Sequence, residues 1–239
     1  MNNRQSANRL LDFIQFTTYD SLDESVRKQA VKCFLDLSSV ICAGAKNNTA
    51  KCATNYVLEN YPMGGVKILS GGESNLIGAS LANGMAANAL DMDDGYSLLR
   101  GHPGSGFFGA LLSAGDFAKC TYGEVLSALV VAYEVGIRNG YAIRDFYHWD
   151  HSSGSYSTFG TAAAVSKLLG LTRDEVENAL GIAEFLAPLV PAKRSCYFPS
   201  MNKDGIYFGQ HVGVQSVMMA KAGMTGKNPV LFDEEYSSY

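Results

Sequence analysis

The residues best able to do chemistry lie in two short segments, Asp91-Met92-Asp93-Asp94 and Gly101-His102-Pro103-Gly104. The first segment follows a predicted helix, whose C-terminal dipole disfavours carboxylates. Carboxylates this close together also raise the pKa of at least one of them. Such a cluster needs a cation, a hydrogen-bond network or a catalytic task to offset its cost. A solvated acidic turn is the alternative.

Three of the four histidines lie where a site is plausible, namely His102, His148 and His151. His102 stands in a Gly-His-Pro-Gly turn that exposes the ring and sets its direction. His148 and His151 flank Trp149 just before a predicted helix, where the dipole disfavours the charged imidazolium and suits a proton acceptor. A purely structural role is the alternative for each ring.

Lys203 lies in Met201-Asn202-Lys203-Asp204-Gly205, at the end of the longest irregular stretch, Pro188–Asn202. Long ordered loops are often functional. The Lys203 ammonium could hold a substrate carboxylate as a point charge, and a solvated surface lysine is the alternative.

The acidic segment does not fit common metal sites. An EF-hand needs acids at alternating positions and a closing Glu, whereas Asp93 and Asp94 are adjacent and His102 takes the closing position. A magnesium–diphosphate site would need a second acidic patch, for which Asp233-Glu234-Glu235 is a poor candidate. The five cysteines are too widely spaced for an iron–sulfur cluster. We therefore predict a site without metal or cofactor.

The elements that must position these residues are predicted to be helices. Three capping boxes, each a hydroxyl three residues before a carboxylate, precede apolar patterns of helical period. They are Ser21 with Glu24, Thr121 with Glu124, and Thr172 with Glu175. Gly44 and Gly170 are predicted C-caps, and Pro188 is predicted to stop the third helix.

Three more helices are indicated by small or apolar residues, and one segment is strand-like. The helices are expected at about Ala79–Leu90, Thr161–Leu169 and Tyr207–Ala222. The strand-like segment, Val66–Leu69, is too short to build a sheet. The prediction is a single all-α helical bundle over residues 1–239, without internal repeats or linkers.

Composition narrows the class of protein. With 239 residues, 47% apolar and 18% charged, the chain fits a soluble globular protein. Its net charge of −4 and scattered basic residues argue against nucleic acid as a partner. No apolar run reaches the ~20 residues that cross a bilayer, and no export signal is evident. The odd number of cysteines, with no C-x-x-C pair, favours a reduced cytoplasmic setting.

Several ordered blocks resemble the N-terminal domain of the MmgE/PrpD family, which includes 2-methylcitrate dehydratases, cis-aconitate decarboxylases and iminodisuccinate epimerases. The similarity covers nearly the whole chain. The blocks are Asn83-Gly84, Leu90–Asp94 and His102-Pro103-Gly104, then Tyr133-Glu134-Val135 with Arg138, then His151 with Phe159–Ala164 and Leu168–Leu171, and finally Met201–Gly205, Gly213 and Gly223–Gly226.

The resemblance implies catalytic residues Asp91, His102, His151 and Lys203. A base would remove a proton α to a carboxylate, donors would stabilise the enediolate-like charge, and an acid would assist departure of hydroxide or carbon dioxide. His102 or His151 would be the base or acid, Asp91 would orient a histidine or the substrate, and Lys203 would bind a carboxylate. The expected substrate is a small polycarboxylate.

Three further residues are candidates for substrate binding: Arg100, Asp94 and Ser153. Arg100 lies in the same loop as His102 and could be a second carboxylate clamp, which is our inference and not part of the resemblance.

The sequence also departs from the family pattern. Asn88 stands where the family usually has His, and Gly95 where a hydroxyl residue is common. Family members continue into an α+β domain that closes the active site, and no such domain is recognised in these residues. We expect a homodimer, or a partner subunit that supplies the lid. A catalytically inactive helical module for dimerisation or binding is the alternative.

Overall fold

The computed structural model describes residues 3–146 and 150–226, together with Pro229 and Phe232. Within these ranges the chain is all-α, as predicted, apart from one small sheet and one 3₁₀ helix. The helices are α1 (Asn3–Phe16), α2 (Glu24–Gly44), α3 (Asn48–Asn60), α4 (Leu76–Asn88), α5 (Ser105–Ala118), α6 (Tyr122–Phe146), α7 (Ser153–Leu168), α8 (Arg173–Leu186) and α9 (Ile206–Lys221). The 3₁₀ helix is Ala192–Cys196. No helix of the described part is both long and apolar enough to cross a bilayer.

Helices α4 and α7 form the centre of the bundle. Both are buried along nearly their whole length, α4 against α2, α3, α5 and α9, and α7 against α5, α6, α8 and α9. Their small residues explain this position, because the distance between packed helices depends on the side chains at the contact and small ones allow a close approach. The predicted helices at α4 and α9 are confirmed to within a few residues. The α7 prediction was too short, since the helix begins at Ser153 and not at Thr161.

The predicted strand-like segment Val66–Leu69 forms a strand over its first two residues only. Strand β1 (Val66–Lys67) pairs antiparallel with β2 (Glu73–Ser74), and Val66 lies opposite Ser74. Asn83 of α4 fixes this hairpin, because its side-chain amide donates to the Lys67 carbonyl at 2.9 Å and its oxygen accepts from the Leu69 amide at 2.9 Å.

Two of the three predicted capping boxes are confirmed. Thr172 and Glu175 exchange both bonds at the start of α8, and Thr121 and Glu124 do so before α6. The Ser21 prediction was wrong: α2 begins after Asp23 without a side-chain cap. The Ser21 hydroxyl instead bonds to Thr18 in a local turn, accepting from its amide at 2.9 Å and donating to its carbonyl at 2.8 Å.

The predicted helix ends had mixed outcomes. Gly170 has the expected positive φ of 64°, and α8 stops at Leu186 ahead of Pro188. Gly44 is not a C-cap, because it is the last residue of α2 and the following Ala45 is right-handed. A Cβ at Gly44 would overlap the carbonyl oxygen of Ala86 in α4, so this glycine permits close helix packing.

We expect Thr172→Ala to lower the free energy of unfolding by about 1 kcal/mol, because the hydroxyl satisfies an amide that α8 otherwise leaves unpaired. Urea unfolding followed by circular dichroism measures this loss. Ser21→Ala is the matched control and should cost less, since its hydroxyl caps no helix. Equal losses from the two substitutions would contradict the role assigned to the Thr172 cap.

Candidate active site

The candidate site lies where the end of α4, the loop before α5 and the loop before α9 meet. Three residues of these segments hold unusual backbone conformations: φ is 57° at Asp91, 50° at Arg100 and 44° at Lys203. A left-handed conformation costs a residue with a Cβ roughly 1–2 kcal/mol. Such conformations persist where surrounding contacts impose them, and they are common at functional sites.

Three of the four predicted catalytic side chains converge at one point. Asp91 Oδ1 lies 3.8 Å from His102 Nε2 and 3.5 Å from Lys203 Nζ. Lys203 Nζ also donates to the Asn88 carbonyl at 2.8 Å, which ties the loop before α9 to the end of α4. The Asp91 side chain is 57% exposed, so the point of convergence opens to solvent.

The other edge of the His102 ring faces the interior. Nδ1 lies 3.2 Å from Asp93 Oδ2 and 3.0 Å from the carbonyl oxygen of Asp94. The Asp93 side chain is fully buried and also accepts from the Ser105 hydroxyl and from Asn88 Nδ2, the latter at 3.2 Å. Asp204 Oδ2 lies 4.0 Å from Nε2, on the open side of the ring.

This arrangement favours the charged form of His102. The hydrogen bond to Asp93 and the negative charges of Asp93, Asp204 and Asp91 outweigh burial and raise the pKa of His102 to about 9. Burial alone would raise the pKa of Asp93, but bonds from His102 and Ser105 hold it below its usual value. At neutral pH the pair is therefore an imidazolium and a carboxylate.

Asp94 holds the loop in place from a buried position. Its carboxylate accepts from the Gly104 amide at 3.0 Å and from the Tyr133 hydroxyl at 2.8 Å. Burial raises the pKa of Asp94 despite these bonds. These contacts give Asp94 a structural role in holding the loop, and its substrate-binding role stays a prediction.

Ser153 and Arg100 occupy different surroundings. Ser153, the first residue of α7, accepts a hydrogen bond from the His102 amide at 2.9 Å and so fixes the His102 backbone. Arg100 is 64% exposed and pairs with Asp150 at 2.7 Å. Their substrate-binding roles likewise stay predictions.

His151 precedes the start of α7, close in sequence to Ser153. It is buried, its backbone pairs with Pro191, and it lines a small cavity with Leu99 and Tyr156. Burial lowers the pKa of His151, which agrees in direction with the neutral ring expected from the sequence. Its catalytic role stays a prediction, and His148 lies outside the described residues.

The open side of the site presents two carboxylates and one histidine ring. Ligand atoms of Asp91, His102 and Asp204 all lie within 4.8 Å of one another. Two carboxylates and a neutral imidazole would suit several metals, but the His102 ring is charged at neutral pH and its Nε2 then has no lone pair for a metal. The Lys203 ammonium, 3.5 Å from Asp91, already supplies positive charge there, and a metal would have to compete with it.

Three residues of the site were missed as individual participants: Asp93, Asp204 and Asn88. Asp93 and Asp204 were visible as neighbours of Asp91 and Lys203, but sequence does not tell which acid turns inward. Asn88 was noted only as a departure from the family pattern. Its side chain contacts Asp93 and its carbonyl contacts Lys203.

Comparison with known proteins identifies the family of this chain. Residues 8–239 match the family model of the MmgE/PrpD N-terminal domain. A cis-aconitate decarboxylase-like protein, oryM, from Aspergillus oryzae (strain ATCC 42149 / RIB 40) is 30% identical over 174 residues, which cover 67% of this chain and 35% of that protein. A cis-aconitate decarboxylase from Aspergillus terreus is 29% identical over 174 residues, covering 69% of this chain and 35% of that protein.

The aligned part thus spans about a third of the length of these relatives. The family match, in contrast, extends over nearly all of the sequence and includes every residue of the candidate site. The chain belongs to the MmgE/PrpD family and comprises its N-terminal domain.

Proposed function

We propose that this chain carries the proton-transfer surface of a cofactor-independent lyase or isomerase that acts on a small di- or tricarboxylate. One observation carries the proposal: His102 Nε2 and Lys203 Nζ both lie within 4 Å of the same oxygen, Asp91 Oδ1. Two cationic donors that meet at one oxygen can also meet at a substrate carboxylate. The exposure of Asp91 gives a substrate access to that point.

The chemistry follows from these charges. Removal of a carboxyl group, or of a proton α to one, leaves an electron pair that spreads onto carboxylate oxygens. Positioned cations stabilise this charge as it develops. Lys203 is suited to hold a carboxylate, and His102, charged at neutral pH, is suited to deliver a proton.

Decarboxylation is the first reaction to test, because the relatives from Aspergillus are named for cis-aconitate decarboxylation. In this reaction the carbon–carbon bond breaks, its electrons stay on the remaining carbon, carbon dioxide leaves, and an acid protonates that carbon. Dehydration and epimerisation use the same donors with a different bond broken.

The site also needs a cover, because water must be excluded for these interactions to be strong. Large apolar side chains are exposed in the last turn of α8 and in the loop that follows it toward Lys203: Phe185 is 89% and Phe198 is 96% exposed. We propose that a closing domain packs against these exposed aromatic side chains. Exposed aromatic side chains are frequent at protein interfaces.

A panel assay tests the function. Citrate-like, aconitate-like and succinate-like acids are incubated with the protein in D₂O and followed by NMR. The assay is run with and without a polypeptide that carries the proposed closing domain. Loss of carbon dioxide, loss of water and exchange of the α-proton are distinct signals. We expect turnover of one acid, and decarboxylation of the aconitate-like acid is the leading outcome.

Paired lysine variants make the assay specific. Lys203→Met should abolish turnover because it removes the carboxylate-binding charge. Lys119→Met is the matched control, since Lys119 also has a positive φ, of 56°, but pairs with Asp116. Turnover unaffected by Lys203→Met would refute the proposed site, and binding without turnover would support the inactive module instead.

A further inference from the structure

The His102 ring has one edge that is fixed and one that is open. Nδ1 faces two oxygens, the Asp93 carboxylate at 3.2 Å and the Asp94 carbonyl at 3.0 Å. A carbonyl oxygen can only accept, so Nδ1 must carry hydrogen. Nε2 is left facing Asp91 and Asp204 on the solvent side.

Asp93 is itself firmly held. Ser105, the first residue of α5, donates its hydroxyl to the carboxylate, and Asn88 Nδ2 donates at 3.2 Å. The N-terminal end of α5 also favours a negative charge in this position. A buried carboxylate with several donors stays ionised and immobile.

The buried Gln210 secures the Ser105 end of this arrangement. Its amide donates to the Ser105 carbonyl at 2.7 Å, and its oxygen accepts from the Ala110 amide at 2.6 Å. Helix α9 therefore clamps the first turn of α5. The chain of contacts from Gln210 through Ser105 and Asp93 to His102 joins the helix core to the open site.

We propose that Asp93 is a positioning residue, which fixes the His102 ring and keeps its Nε2 proton available for delivery to the substrate. The inference rests on the proposed function, in which His102 is the proton donor, and it identifies Asp93 as the residue that holds this donor in place. Asp93 acts through His102, because its fully buried side chain lies behind the ring.

The consequence for the reaction is a defined proton path. After Nε2 gives its proton to the substrate carbon or to departing hydroxide, the ring is neutral and keeps its Nδ1 hydrogen. A proton from solvent then restores Nε2. The resting ring has no lone pair on Nε2, so any proton abstraction falls to another group. Decarboxylation followed by protonation needs no such base.

Asp93→Asn tests the proposal in the full chain. Asparagine has nearly the same shape, and its oxygen can still accept from Ser105 and from Nδ1, but the charge is lost. We expect NMR titration of labelled histidine rings, assigned with His102→Gln, to show the His102 pKa falling from about 9 toward 6.5. The Nδ1 hydrogen should remain, because the Asp94 carbonyl still accepts it.

Kinetics supply the second measurement. With an active substrate, kcat at pH 8 should fall by at least ~10-fold while KM changes little, because the acid is deprotonated but the carboxylate contact of Lys203 is kept. The alkaline limb of the kcat profile should move to lower pH with the His102 pKa. An unchanged limb would overturn the proposal.

Asp204→Asn is the matched control. It removes a charge 4.0 Å from Nε2 and leaves the Nδ1 side intact. We expect a smaller fall in the His102 pKa than Asp93→Asn produces, and equal falls would overturn the proposal. If Asp93→Asn fails to fold, the ¹⁵N chemical shifts of the His102 ring in the unaltered protein supply a second measurement. The neutral ring at high pH should carry its hydrogen on Nδ1, and a neutral ring with its hydrogen on Nε2 would overturn the proposal. These titrations need no turnover, so their outcome is separate from that of the proposed function.

Discussion

His102→Gln is expected to lower kcat by about 10²–10⁴-fold, the range for loss of a positioned acid or base, without unfolding the protein. Glutamine retains polarity and approximate length but cannot transfer a proton. The ring is only partly buried, and its interior partner Asp93 keeps the donors Ser105 and Asn88 after the change. Turnover of the acid identified in the panel assay measures the loss.

A lysine variant outside the site serves as the control for His102→Gln. Lys119→Met, remote from the cluster, should leave turnover within about two-fold of the unaltered protein. Circular dichroism spectra and unfolding midpoints of both variants show whether the fold is kept. If His102→Gln retained half of the activity, His102 would not be the proton donor, and His151 would become the leading candidate.

Gly160→Ala is expected to destabilise the protein by roughly 1–3 kcal/mol, although alanine ordinarily stabilises a helix relative to glycine by about 0.5–1 kcal/mol. Gly160 lies in α7, where a Cβ would stand 2.6 Å from the Ala132 carbonyl oxygen and 3.1 Å from Gly136 Cα of α6. Both neighbours are backbone atoms, which cannot rotate away. Relief therefore requires α6 and α7 to separate.

Gly136→Ala is the control on the facing helix. The nearest atoms to a Cβ there are Gly160 Cα at 3.5 Å and Phe107 Cε1 at 3.6 Å, which is ordinary contact. We expect this variant to be as stable as the unaltered protein, or more stable by up to about 1 kcal/mol. Urea unfolding gives both values, and a Gly160→Ala variant of undiminished stability would show that the α6–α7 packing is looser than described.

The fold was predictable where the determinants are local. The capping boxes at Thr121 and Thr172 satisfy amides three residues away, so sequence spacing sufficed. The Ser21 box did not form, because the Ser21 hydroxyl bonds to the backbone of Thr18 on its N-terminal side. Helices α1, α3 and α5 had no counterpart in the prediction, and α5 starts after Gly104 without a side-chain cap, so its local signal is weak.

The clustering of three candidate side chains was predictable from the sequence, and their hydrogen-bond partners were not. The family resemblance brought together Asp91, His102 and Lys203, and the structure places these three side chains at one point. Among the acids at 91, 93 and 94, the sequence could not tell which would be exposed, which would orient His102 and which would anchor the loop. Burial and hydrogen-bond partners assign these roles to Asp91, Asp93 and Asp94 respectively.

The sequence by itself determined the helical class, the capping boxes at Thr121 and Thr172, and the family. Periodicity, capping and ordered motifs all depend on residues that are near one another in the chain. Only the tertiary structure decided that His102 has a fixed edge and an open edge. That property depends on contacts of His102 with Asp93 and Ser153, and of Asp93 with Ser105, which are set by the packing of α4, α5 and α7. Distances between side chains on separate helices follow from how closely the helices approach, and spacing along the chain does not specify them.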